Sequence, residues 1–551
     1  MKDLVARKYL GIFVLLTSVA VTILTTPFNS IDPVNLPKLT LLGILSFSSI
    51  GFVVADLDFF KKSEYRIILI LIGLFIAQLV IVFLADDRYW GLKFYGAPGR
   101  NTGLLAYLSL SLLLVASLAA SSFSLVKKFS WALVAIGLML SIYGVLQSNG
   151  VDFFEFDNAY SSNVFGTFGN PNFHSAFMGI IAATALSLAM FSALQSYIKV
   201  LLFVVFSISV YNVTLSSQQG YLNFLAGMSA SLLFYLFKTR KLFLGWTVLS
   251  LTLISFASVF MGILNKGPLA QYIYESSLQA RGFYWRGAME IILSHPLIGT
   301  GMDSFGEWYR RSWQGVSGST DTVHNIPLDI GANGGVPLML LYLLIFGFTL
   351  RSIVRVTRRE GSFDVYFSVV IAAWFAYQAQ TIISINQLGL GVWGWSLTGL
   401  IIGYEINTGA TGKEPKLVSN NGLPKTKGNI STLAIITTFA AAGLGVAVAV
   451  PPYLAATNFY NAIKSGDVSQ IEDAAYKKPY DRNRFLIFAR GLQENKLESQ
   501  AIQVLRDASK VYPDSIDLWR KWSEIPSASA DDIVRAKAEL KRLDPYNPDL
   551  K

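Results

Sequence analysis

The segment from Gln279 to Gly335 is the only long polar stretch between two hydrophobic spans, and it holds Arg281, Trp285, Arg286, His295, His324 and Asn325. An arginine fork grips phosphate oxygens two at a time. A neutral imidazole accepts a proton. Arginine and histidine in one loop therefore suit group transfer from a phosphate-linked substrate.

The spacing sharpens this. A helix over 281–293 puts Arg281 and Trp285 on one face at i, i+4. The fork would hold a phosphate while the indole stacks on a sugar ring. Arg286 is turned away by about 140° and aligns with Glu290, which predicts an ion pair. Arg286 nonetheless stays among the candidate substrate ligands. Further on, His324-Asn325-Ile326-Pro327 opens the next hydrophobic span. Proline suits a first helical turn, and the positive end of a helix favours a neutral histidine. General base and helix cap are both open for His324; orienting the ring or capping the helix are both open for Asn325. His295, before a proline, reads as structural.

Three other polar loops add candidates. Ala85–Thr102 carries Asp86 and Asp87, a divalent-cation pair or a hydrated loop tip, and Arg100, a phosphate ligand or an interfacial anchor. Gly169-Asn170-Pro171-Asn172 is dense turn chemistry before a span: its helix start is a ready anion site with Asn170 as a candidate ligand, a rigid turn closing the span, or both. His174, a turn further, reads as a buried structural residue. Ser217-Gln218-Gln219-Gly220 offers Gln218 to sugar hydroxyls, or is only a tight helix–helix turn.

These loops need a scaffold. The chain has 551 residues, of which 53% are hydrophobic and only 15% charged, so it is no ordinary soluble protein. Apolar runs of about 20 residues, enough to cross a bilayer, recur about thirteen times. The expected fold is all-α: a polytopic helical membrane protein. Basic clusters mark every second connection: Lys2/Arg7/Lys8, Lys61/Lys62/Arg66, Lys127/Lys128, Lys199, Lys238/Arg240/Lys241, Arg351/Arg355/Arg358/Arg359 and Lys413/Lys416/Lys425/Lys427. The positive-inside rule puts them in the cytoplasm, with the N-terminus, and puts every candidate loop and the C-terminus outside. The first span reads as an anchor. Most of the net charge of +10 is then topological and asks for no nucleic-acid partner. With no cysteine, disulfides, thiolate catalysis and cysteine metal sites are excluded.

Two parts are expected: a membrane domain over residues 1–452, closed by Pro451-Pro452 and carrying an outer loop at about 265–326, and a polar helical tail over 453–551. A Gly/Lys/Asn-rich linker spans Asn407–Asn429. In the tail, Ala501, Leu505 and Ala508 share a helical face, and the breaks at Val511-Tyr-Pro-Asp-Ser and Asp544-Pro-Tyr-Asn-Pro recur at about the tetratricopeptide period. A degenerate repeat and a plain helical cap fit equally.

Arg281 with Trp285, then His295-Pro-Leu-Ile-Gly-Thr-Gly, then His324-Asn325, is similar to the signature of the O-antigen ligase and polymerase superfamily of bacterial membrane glycosyltransferases. Gly166-Thr-Phe-Gly-Asn-Pro-Asn and Gly99-Arg100-Asn101-Thr-Gly resemble two further elements of it, so the likeness covers residues 85–345. The resemblance implies an enzyme of the cytoplasmic (inner) membrane. It would move a glycan from a polyprenyl-diphosphate carrier to an acceptor hydroxyl on the outer face, without metal or cofactor. Arg281 would bind the diphosphate and His324 would activate the acceptor. The acceptor is a lipid, a growing glycan or a protein such as pilin. Many members have Ser-Arg-Gly where this chain has Ser217-Gln-Gln-Gly220; either Arg100, Arg286, Arg310 or Arg311 supplies that missing cation, or the substrate differs. The rival classes are a transporter or flippase for a lipid-linked glycan, which would need charges along its spans, and a membrane scaffold docking proteins through its tail.

Overall fold

The computed structural model describes residues 2–26, 31–54, 57–85, 89–154, 163–273, 276–314, 318–409 and 431–550. Every regular element among them is helical. Each of the expected spans falls on a helix, and among the described residues ten helices are long and apolar enough to cross a membrane. Leu104–Ala120 is shorter, and Lys2–Ile23 and Leu388–Thr408 lie outside that set. Asp86 and Asp87 fall outside the described residues, as does most of the expected linker.

Local chemistry sets the helix starts. Asn170 and Asn325 accept from the backbone N–H groups of Asn172 and Leu328, and each is followed by a proline in the first turn. Asp364 and Ser431 cap the Val365–Ile383 and Thr432–Ser465 helices in the same way. Pro171–Phe191, Val365–Ile383 and Leu388–Thr408 form the buried centre. Small residues let them approach closely: a Cβ on Gly399 would lie 2.3 Å from the Leu114 carbonyl oxygen of the neighbouring helix. The periphery presents apolar side chains outward, as Phe243, Trp246, Leu251 and Ile254 do on the Leu242–Ile263 helix, which is what a lipid environment demands.

The Thr432–Ser465 helix departs from expectation. Pro451 and Pro452 lie inside it, and it runs on into the tail without a break. The tail then folds as paired helices, Arg482–Glu494 against Glu498–Val511 and Ile516–Ser523 against Ala530–Leu543. Ala501, Leu505, Ala508, Leu518 and Trp522 are all buried in its core. That core also takes in Tyr89, Leu92 and Ala97 from the loop before Leu104–Ala120, so the tail is docked on the bundle. The basic residues Lys238 and Arg359 sit at the far end from the tail, where Lys238 donates to the Val356 and Arg359 carbonyls and Arg359 pairs with Glu405 at 3.0 Å.

Candidate active site on the tail side of the bundle

The long loop is built on a bend. Its helix spans Ser276–Ser294, starting earlier than the spacing predicted. After it, the His295–Gly301 turn lies directly on the Ile326–Arg358 helix, which breaks at Gly335 (φ 79°). Thr300 and Gly301 donate to the carbonyls of Ala332 and Asn333, and Val336 donates to Pro296. The contact is backbone on backbone: a Cβ on Gly299 (φ 60°) would sit 2.5 Å from the Ala332 oxygen, and one on Gly335 would sit 2.5 Å from Leu297. Asn333 Oδ1 then accepts from Ser304 and Phe305, starting the Phe305–Tyr309 helix. His295 bonds Ser294 and packs edge-on against Trp308, a structural place as expected.

His324 sits just before the Ile326–Arg358 helix at φ 55°, a left-handed conformation uncommon outside glycine. It is held there from both sides. Val323 N–H donates to Asp329 Oδ1 (3.1 Å), and Asn325 caps the helix. His324 Nδ1 lies 3.2 Å from the Thr322 carbonyl oxygen. The Thr322 hydroxyl oxygen lies 3.3 Å from the same nitrogen; when Nδ1 donates to the carbonyl it carries the proton and Nε2 keeps its lone pair. Burial first, then the charges of Arg281 and Arg100, hold the imidazole down to about 4, neutral at ordinary pH.

Three residues thus converge electrostatically: His324, Arg281 and Arg100. Arg281 is buried, and among the described residues its side chain makes neither an ion pair nor a hydrogen bond. Burial lowers its affinity for the proton, while Tyr284 opposes that. Tyr284, a turn along from Arg281, has its ring 5.6 Å from that of His324. Arg100 is half-buried and likewise has no side-chain partner among the described residues. Its loop is pinned by Asp303, which accepts from the Ala97 and Thr102 N–H groups (2.6 and 3.2 Å) and from Thr102 Oγ1 (3.0 Å). Burial pushes the Asp303 carboxyl up to about 6 against those bonds.

Other expected site residues land elsewhere. Trp285 does share the Arg281 face, but its ring stacks on Phe260 (6.0 Å, 14° between planes) within an apolar cluster, so it is no open sugar platform. Arg286 is exposed and lies over Trp313, 4.1 Å from the ring centre; no Arg286–Glu290 ion pair forms. Asn325 has both polar atoms committed, Oδ1 to Leu328 N–H and Nδ2 to the Ile382 carbonyl, so it caps the helix and ties it to the next one. Gln218 is exposed at the start of the Gln219–Lys238 helix, in a tight turn closed by Ser217 Oγ donating to Asn172 Oδ1. His174 is fully buried against Asn212, a structural place as expected. Asn170 lines a cavity together with Arg100. Arg310 pairs with Asp544 (2.6 Å) and Arg311 with Asp514 (3.3 Å), both in the tail. Of the four arginines that could replace the cation absent at Ser217–Gly220, this leaves Arg100 without an engaged side chain.

Sequence reasoning passed over Tyr284, Asp303, Glu307 and the tail residue Arg482. Glu307 and Arg482 pair at 2.6 Å beside Asp321. Burial pushes the Glu307 carboxyl up to about 7 against the pull of that guanidinium. The Tyr284 position, i+3 from Arg281, was readable as a shared helical face. The others are joined only by folding.

Residues 201–343 match the family model described as O-antigen ligase. The match spans the long loop with Arg281 and His324, and it supports the likeness drawn from those motifs. No curated protein matches the chain.

Proposed function

We propose that this polytopic helical membrane protein, with its O-antigen-ligase-like region, transfers a glycan from a polyprenyl-diphosphate carrier to an acceptor hydroxyl on the outer face of the cytoplasmic membrane. The observation that carries this reading is a buried His324 under the charges of Arg281 and Arg100, neither of which has a side-chain counter-charge among the described residues. A buried guanidinium without a partner is costly unless a ligand supplies the anion. A diphosphate is such a ligand, and Arg281 and Arg100 would grip it.

In this mechanism the acceptor O–H gives its proton to His324 Nε2. The acceptor oxygen bonds to the anomeric carbon as the bond from that carbon to the phosphate oxygen breaks. The electron pair leaves with the diphosphate, where the two guanidinium groups stabilise the charge. Attack opposite the leaving group inverts the sugar carbon. The imidazolium formed beside two cations sheds its proton readily. Thr322 contacts Nδ1, which leaves Nε2 to take the acceptor's proton. In this topology the N-terminus is cytoplasmic, and the site and tail are outside.

The test is transfer by purified protein in nanodiscs. His324→Ala should lower the transfer rate by about 100-fold or more while donor still binds, the usual scale for a lost general base. Normal turnover in that variant would remove His324 from the mechanism. Donor carried across proteoliposomes without transfer to any acceptor would move the chain to the transporter class.

A further inference from the structure

A cavity of about 440 Å³ lies between the bundle and the tail. Neither Arg281 nor His324 lines it, but Arg100 does, joining it to the site above. Its volume falls within the roughly 300–1,000 Å³ of pre-formed small-ligand sites. Both parts of the chain build its walls: Arg100, Asn101 and Asn170 from the bundle loops, Tyr480, Arg482 and Asn483 from the tail.

The lining chemistry selects a ligand. Its charges are mixed and mostly satisfied: Asp32 accepts from the N–H groups of Val34, Asn35 and Leu36, Arg482 pairs with Glu307, and Arg484 donates to the Ala474 and Lys477 carbonyls. Apart from Arg100, such walls offer no uncommitted cation to an anion. Uncommitted neutral groups stand beside them. Asn101 Oδ1 is buried with no hydrogen-bond partner. The Tyr480 hydroxyl and the Asn483 side-chain amide also have none among the described residues. Donors, acceptors and an aromatic ring in one pocket match a hydroxyl-rich, uncharged ligand whose rings have apolar faces.

We infer that this cavity is a glycan subsite, in which the tail residues Tyr480 and Asn483 hold sugar units while the reacting end lies at His324. The inference rests on the transferase reading above. The sugar units belong to the donor or to a glycan acceptor; the chemistry is the same.

The experiment measures binding by the full chain in nanodiscs. The probes are free oligosaccharides released from the source cell's polyprenyl-linked pool, oligosaccharides released from its surface glycans, and a sugar-free polyprenyl diphosphate. Tyr480→Ala and Asn483→Ala should each weaken oligosaccharide binding by about tenfold, the scale of one hydrogen bond and its ring contact, and leave the sugar-free carrier unchanged. Tyr480→Phe, which keeps the ring, should lose less and guards against misfolding. Arg281→Ala should do the reverse, weakening only the carrier. Preference for the first oligosaccharide pool assigns the donor, and for the second an acceptor. Wild-type protein that binds neither, or cavity variants that bind as wild type does, would overturn the subsite. A carrier that fails to bind wild type while the cavity variants still lose oligosaccharide would instead remove the diphosphate reading alone.

Discussion

At the scale of single residues, the proposed transfer depends on the state of His324. The chain has three histidines, so isotope-labelled imidazoles can be followed one by one. His324 should remain neutral at pH 5.5, protonated on Nδ1, as read from its nitrogen chemical shifts; charging with a midpoint near 6.5 would contradict it. The linkage has a definite sign. With the folded-state value lowered from 6.5 to about 4, the unfolded chain takes up the proton first, so stability falls as pH drops through that window. Arg281→Lys should keep a charge but lose the bidentate grip, weakening carrier binding by about tenfold in a direct titration. Much of this site was legible. Arginine and histidine types, loop position and the proline after His324 pointed to residues that the fold brings under one another's charge. The role of Trp285 was not legible, because its stacking partner Phe260 comes from a different helix. Nor was the commitment of Asn325 Nδ2 to the Ile382 carbonyl, 57 positions away.

At the scale of elements, the bend at Gly335 positions the loop. The backbone of the His295–Gly301 turn fills the space where a side chain would be, and both glycines hold positive φ. Gly335→Ala should therefore cost on the order of 1–3 kcal/mol, seen as a lowered thermal midpoint, and should slow transfer without touching any ligand. An unchanged midpoint would mean that the turn can shift freely. The helix starts were readable because an asparagine cap and a following proline act locally, at 170–171 and 325–327. The proline pair at 451–452 misled because its local rule is weak here. A proline removes one backbone hydrogen bond and crowds the preceding turn, yet membrane helices tolerate it when neighbours re-satisfy the backbone.

At the scale of the whole molecule, the tail is docked on the bundle beside Arg100 and the 307–311 segment of the long loop. Arg482 reaches Glu307 across 175 positions of chain, and Arg310 reaches Asp544 across 234. No local pattern could announce such pairs, although the amphipathic tail helices themselves were plain. Arg482→Met would leave the buried Glu307 without its partner and should destabilise the docked tail by about 2 kcal/mol or more, measured as faster amide exchange in 482–494. Exchange matching the wild type would show that docking does not depend on the Arg482–Glu307 pair and rests on the apolar contacts and the Arg310–Asp544 and Arg311–Asp514 pairs. The central claim joins all three scales: one loop, bent into place and paired with the tail, transfers a glycan through His324 and Arg281. Its most direct test is transfer by the purified full chain from a polyprenyl-diphosphate glycan to candidate acceptors, with His324→Ala, Arg281→Ala and a chelator in parallel. Wild type should transfer glycan, both substitutions should abolish that transfer, and the chelator should leave it intact. Full activity in His324→Ala, or transfer that stops with the chelator alone, would contradict the central claim.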